Sequence, residues 1–250
     1  MSKDPLNRPV DPAVAGRFRT TRWSLVLQAA GTEDAASQEA LERLCTGYWP
    51  AVYGFILRRG HPPETAQDLT QSFFARLLEK EWLRNADATK GRFRTFLLTA
   101  VTRFLANAHA HEQAAKRGGG LPPVTLDTTT AEPSWVVPLQ RHRTPEEEFD
   151  RRWAETLLER VLARLQQEFD GGGRSGRFEE LKSFLTGDRG ERSYADVATR
   201  LGVSESAVKA GIYRLRQRYG ELVREEIAET VGSPEEIETE IRYLVAVLAG

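Results

Sequence analysis

The stretch from Ser193 to Arg218, Ser-Tyr-Ala-Asp-Val-Ala-Thr-Arg-Leu-Gly-Val-Ser-Glu-Ser-Ala-Val-Lys-Ala-Gly-Ile-Tyr-Arg-Leu-Arg-Gln-Arg, constrains this chain more than any other segment. It reads as two helices joined by a tight turn. Ala198 stands four residues before Gly202, and Val208 six residues after it. A small residue lets two helices cross closely, and glycine suits a turn that needs positive φ. Val208 then anchors the second helix to the first, and Ser204 is a good N-cap for it. At 3.6 residues per turn, Val208, Ile212, Leu215 and Tyr219 share one apolar face. Ser206, Lys209, Ala210, Tyr213, Arg214 and Gln217 share the opposite one. A polar, basic helix face of that size fits a DNA major groove, whereas a plain surface hairpin would not require this joint spacing.

The rest of the chain is predicted to be helical too. Apolar residues recur at helical spacing and no alternating strand pattern is present, so the expected fold class is all-α. A first helix is expected from Trp23, a second over Ala40 to Arg59, a third from Pro62-Pro63 to about Trp82, and a fourth from Arg92 to Lys116. Three consecutive glycines, Pro122-Pro123 and later prolines then break the pattern. Helix resumes at Glu146, is interrupted by Gly171 to Gly176, and continues into the two-helix segment. The expected organisation is a polar tail (1–20), a helical domain (21–117), a flexible linker (118–149), a second helical domain carrying the helix-turn-helix (150–231) and an amphipathic C-terminal extension (232–250).

Composition narrows the function classes. The chain has 250 residues, 28% of them charged, and a mean hydropathy of -0.48, with no apolar run near the ~20 residues of a spanning helix. The first sixteen residues lack an apolar signal core, and the single cysteine, Cys45, cannot pair within the chain, so a cytoplasmic location is expected. Net charge is only -1, but the charges are segregated. Five Lys/Arg face one Glu between Arg92 and Arg117, and five face two Glu between Val203 and Arg224, whereas seven Glu and one Arg follow from Glu225 onward. This implies two nucleic-acid contacts and one protein-facing element.

No catalytic constellation is found, and the chain is not expected to be an enzyme. His109 and His111 lie two apart and would point to different helix faces, Cys45 has no neighbouring ligand, and His61 and His142 stand alone. The glycine clusters are not followed by Gly-Lys-Ser/Thr, and no Gly-x-Ser-x-Gly elbow occurs. No cofactor, metal or small-molecule substrate is implied.

Three segments together resemble an extracytoplasmic-function (ECF) sigma factor, a promoter-recognition subunit of bacterial RNA polymerase. Ala66-Gln-Asp-Leu-Thr-Gln-Ser-Phe-Phe-Ala-Arg-Leu-Leu78 is similar to that family's Ala-Glu-Asp-Leu-x-Gln-x-x-Phe helix. Gly91-Arg-Phe-Arg-Thr-Phe-Leu97 is similar to its Gly-x-Phe-Arg-x-Trp-Leu, and the helix-turn-helix supplies the third segment. The tail looks like that of a subgroup carrying a C-terminal extension. The resemblance implies that Asp68, Gln71 and Ser72 contact the clamp coiled coil of core polymerase, with Leu69, Phe73 and Leu77 as their core stripe. For the minus-ten promoter element the candidates are Arg92, Arg94, Thr99, Arg103 and Asn107, with Phe93 and Phe96 expected in the core. For the minus-thirty-five element they are Ser204, Ser206, Lys209, Tyr213, Arg214 and Gln217. Implied partners are core RNA polymerase and promoter DNA, with an anti-sigma or other regulatory protein left open.

There are departures from the family pattern. Ala207, Ala210 and Gly211 stand where the family has polar groups, and Ala108-His-Ala-His-Glu-Gln-Ala-Ala-Lys-Arg117 replaces a dense Arg/Lys run. The Gly171–Gly176 interruption is also longer than usual. A polymerase-independent helix-turn-helix regulator and a protein-binding adaptor are the rival readings. In the tail, Ser233-Pro234-Glu235-Glu236 predicts a capping box, followed by an apolar stripe of Ile237, Ile241, Leu244, Val245 and Leu248. That stripe should dock in the free protein with its glutamates near a basic segment. It would act either as a cap on the second domain or as a restraint on DNA binding.

Overall fold

In the computed structural model, the described residues are 35–78, 92–117, 143–170, 175–186, 193–229, 231 and 233–249. They form eight α-helices and one 3₁₀ turn, with no strand among them. The helices are α1 (Ala35–Arg58), α2 (Pro63–Leu78), α3 (Phe93–Arg117), α4 (Pro145–Asp170), α5 (Ser175–Thr186), α6 (Tyr194–Leu201), α7 (Glu205–Ala228) and α8 (Ile237–Ala249), the last preceded by the 3₁₀ turn Pro234–Glu236. The helix expected from Trp23, the polar tail and residues 118–142 of the expected linker lie outside the described residues.

The chain divides into two compact units, residues 1–154 with 229–250, and residues 155–228. The division falls inside α4 and again at the end of α7. The segment from Glu229 belongs to the first unit, not to the unit that precedes it in sequence.

The first unit is built on aromatic packing. Tyr48, Val52, Phe55 and Ile56 of α1, Phe73, Phe74 and Leu77 of α2, Phe93, Leu97, Val101 and Phe104 of α3, and Phe149 and Trp153 of α4 are all buried. Edge-on ring pairs tie the helices together: Tyr48 with Phe93 at 5.4 Å, Phe73 with Phe104 at 5.7 Å, and Phe55 with Phe149 at 6.4 Å between centroids. Each such side chain contributes about 1.5–3 kcal/mol through burial, and each ring pair roughly another 0.5–1.5. Helix α1 ends at Gly60, whose φ of 91° few other residues tolerate. Helix α4 begins with a capping box: the Glu147 amide donates to Thr144 Oγ1, and the Thr144 amide donates to the Glu147 carboxylate. Pro145 occupies the first helical position, where its missing N–H costs nothing.

The second unit packs α5 and α6 against α7, with the C-terminal part of α4. Its core holds Leu157, Val161, Leu165, Phe178, Leu181, Phe184, Val197, Val208, Ile212, Leu215 and Leu222. Ion pairs join the charged flanks of α4 and α7: Arg218 Nε to Glu168 at 2.7 Å, Arg164 to Glu225 at 2.6 Å, and Arg160 to Glu226 at 3.0 Å.

Candidate nucleic-acid and polymerase interface

On α2 the side chains divide as amphipathic spacing requires. Phe73 and Leu77 are buried and Leu69 is half-buried, while Asp68, Gln71 and Ser72 are exposed together on the outward side. Ala66, Thr70 and Phe74 complete the inner face, and the Thr70 hydroxyl donates to the Ala66 carbonyl at 2.6 Å, so its burial leaves no unsatisfied group. The α2 surface is therefore a rigid polar strip backed by packed aromatics.

Helix α3 presents two different surfaces. Thr99, Arg103 and Asn107, spaced by four residues, are exposed along one side. Phe93 is buried and stacks with half-buried Phe96 at 5.8 Å between centroids. Arg94 is buried, with 9% of its side chain accessible. Its Nη1 donates to Asp150 at 2.6 Å and its Nε to Glu240 at 2.8 Å, while its guanidinium lies 4.2 Å from the Tyr243 ring centroid and 5.2 Å from that of Trp153. Burial works against its charge, but the Glu240 hydrogen bond and the Asp150 and Glu240 charges outweigh that and hold the guanidinium above the ordinary arginine range. Arg92, half-buried, sits 2.9 Å from the other oxygen of Glu240. The Tyr243 hydroxyl donates to Asp150, and burial, then this bond, pushes the phenol upward.

The C-terminal segment therefore docks on the first unit, with a glutamate on the basic segment. It does so in a different register from the predicted stripe. Glu240 and Leu244 are buried, Ile237, Ile241 and Leu248 are half-buried, and Val245 is 58% exposed. The helix has turned its buried face toward the residue that has two arginine partners. The predicted capping box is also absent, since the Ser233 side chain makes no cap to the backbone and instead hydrogen-bonds Glu235, so a 3₁₀ turn leads into α8.

In the second unit, α6 ends at Gly202 in the left-handed region, φ 63° and ψ 36°, and its amide satisfies the terminal carbonyls of Ala198 and Thr199. Ser204 caps α7, accepting from the Ala207 amide at 3.2 Å. A Ser193/Asp196 capping box opens α6, at a Ser-x-x-Asp spacing that the sequence itself carries as a signal. Val208, Ile212 and Leu215 are buried and Tyr219 is half-buried, while Ser204, Ser206, Lys209, Tyr213, Arg214 and Gln217 are all exposed, Tyr213 by 63%. Lys209 lies over the Tyr194 ring at 5.5 Å. The remaining basic residues of this segment are engaged by the protein: Arg216 donates to the Phe184 carbonyl, Arg218 pairs with Glu168, and Arg224 donates to the Gly220 carbonyl.

Among the described residues no group of His, Cys, Asp and Glu is arranged to hold a metal ion, and no helix is long and apolar enough to cross a membrane. No curated protein and no solved structure matches the chain. Residues 44–114, from the middle of α1 to near the end of α3, match the family model for Sigma-70 region 2. The part of the first unit made by α1, α2 and α3 is thus a Sigma-70 region 2 domain, the domain of a sigma-70 family sigma factor.

Proposed function

We propose that this chain is an ECF-type sigma factor whose two units divide the work of promoter recognition. Sigma-70 region 2 binds core RNA polymerase and serves transcription initiation, and its family is non-enzymatic. The polymerase contact is assigned to Asp68, Gln71 and Ser72, and the observation that carries it is their joint exposure on α2 directly outside a fully packed core. A partner helix can dock on such a strip without disturbing the fold. Minus-ten contact is assigned to the exposed α3 stripe of Thr99, Arg103 and Asn107, with Arg92 and Arg94 at its head. Minus-thirty-five contact is assigned to α7 as the reading helix of a helix-turn-helix. Its polar residues Ser206, Lys209, Tyr213, Arg214 and Gln217 and the cap Ser204 face outward, while neighbouring arginines hold the unit together.

The test is capture of core polymerase by the Asp68→Ala/Gln71→Ala chain. Exposed substitutions change stability by only about ±0.5 kcal/mol, so the variant should melt as wild type does yet lose polymerase affinity and run-off transcription. Wild-type capture by a normally folded variant would refute the α2 assignment. Promoter-duplex binding without any capture by the wild-type chain would favour a polymerase-independent regulator.

A further inference from the structure

Arg92 and Arg94 stand at the N-terminus of α3, where the backbone dipole already favours an anion. The charge that meets them belongs to the chain itself. Glu240 places one oxygen 2.8 Å from Arg94 Nε and the other 2.9 Å from Arg92 Nη1, and its side chain is only 1% accessible. The seat is nonetheless incomplete. The oxygen facing Arg92 has no aligned hydrogen-bond donor, and α8 anchors itself through Leu244 while Val245 points to solvent. Charge contacts as well as apolar burial seat the helix, and a charge contact can be exchanged for another anion. Arg94 also pairs with Asp150, which lies outside α8, so among the described residues lifting α8 would take a carboxylate from Arg92 and from one edge of Arg94. Arg92 precedes Thr99 by seven residues, two helical turns, and so extends the exposed Thr99, Arg103 and Asn107 stripe.

We propose that Arg92 and Arg94 form a phosphate-binding site for a nucleic-acid strand, and that Glu240 of α8 is a built-in competitor which occupies it in the free protein. The inference rests on the reading of α3 as the strand-contacting helix. Binding of the strand and seating of α8 are mutually exclusive, because both place an anion at the same guanidinium edges. The α3 site of the free protein is held closed to a strand until the strand, presented at high local concentration, displaces the helix.

The test uses the full chain and a short fluorescent single-stranded oligodeoxynucleotide, read by anisotropy, without polymerase. Glu240→Gln and, separately, Leu244→Ala, which loosens α8 without touching a charge, should each bind about tenfold tighter than wild type, within the range of ordinary coupling between sites. A cooperatively melting variant that binds no tighter overturns the proposal, and if one variant fails to fold the other decides. In the wild-type chain, saturating oligonucleotide should abolish the hydrogen-exchange protection of residues 237–249, and retained protection overturns it. Polyglutamate at equal charge should displace α8 less than the oligonucleotide does, since bases as well as phosphates can meet the Thr99, Arg103 and Asn107 stripe; equal displacement would make this an acidic-peptide site instead. Loss of polymerase capture would leave these results standing, and failure here would leave the polymerase contact standing, so the two readings fail separately.

Discussion

Two helix-interior glycines show how far a single Cβ can carry opposite consequences. At Gly54 in α1, a Cβ would overlap the Arg152 side chain, which is itself buried and fixed by a 2.6 Å bond to Glu148. Gly54→Ala must displace that pair, and overpacking of this kind costs about 1–3 kcal/mol. At Gly211 in α7 the Cβ would meet only Leu181 Cδ1 at 3.4 Å. Gly211→Ala should therefore stabilise the chain by about 0.5–1 kcal/mol, the helix propensity that glycine forgoes. Urea melts of the two variants should shift in opposite directions; a shift of the same sign in both would refute the packing argument. Neither outcome is legible in the sequence, where both are merely glycines in helical periodicity. Glu240 is the sharper case. By residue type it belongs on the wet side of α8, and Arg94, 146 residues away, together with Arg92 makes it a buried residue.

The basic residues of helix α7 have separate employments. Lys209 and Arg214 point outward with Tyr213, whereas Arg216, Arg218 and Arg224 are engaged by the protein. Alanine at Lys209 or Arg214 should weaken promoter-duplex binding with little change in melting. A base contact would cost about 1–3 kcal/mol at one position of the site, and a phosphate contact would lower the salt slope by about one. Binding isotherms over a salt series distinguish these, and unchanged isotherms for both variants would refute the recognition-face assignment. Arg218 should behave differently. Its hydrogen bond, opposed by a little burial, holds the Glu168 carboxyl below the ordinary 4.5. A depressed carboxyl stabilises the fold above its unfolded pKa and loses that contribution as pH falls through the folded one. Because the pair is largely exposed, the effect should stay under about 1 kcal/mol. Glu168→Gln should flatten the stability curve below pH 4.5 and leave it unchanged in slope at neutrality; an unaltered acid limb would show the pair to be inert. The turn at Gly202, the Ser204 cap and the Val208/Ile212/Leu215 face were all readable in advance, because local sterics and periodicity set them. The start at Ser233 departs from the expected capping box for an equally local reason: its hydroxyl turns to the Glu235 side chain, and the first turn tightens to 3₁₀.

For the whole molecule, periodicity announced helices but not which helices share a core. The expected linker ended at residue 149, yet Phe149, Asp150 and Trp153 are integral to the first unit, and the C-terminal segment returns to that unit past all of the second. Such pairings depend on side chains far apart in the chain, which a local pattern does not encode. The return of α8 also has a temporal meaning. During synthesis the region 2 helices emerge well before Glu240, and at 5–20 residues per second the 146-residue separation from Arg94 takes roughly 7–30 s to traverse. Throughout that interval a nascent first unit carries its arginines without the carboxylate that later covers them. Under the proposed competition, α3 of the young chain is open to nucleic acid in a way the finished one is not, and translation itself becomes the clock on that opportunity.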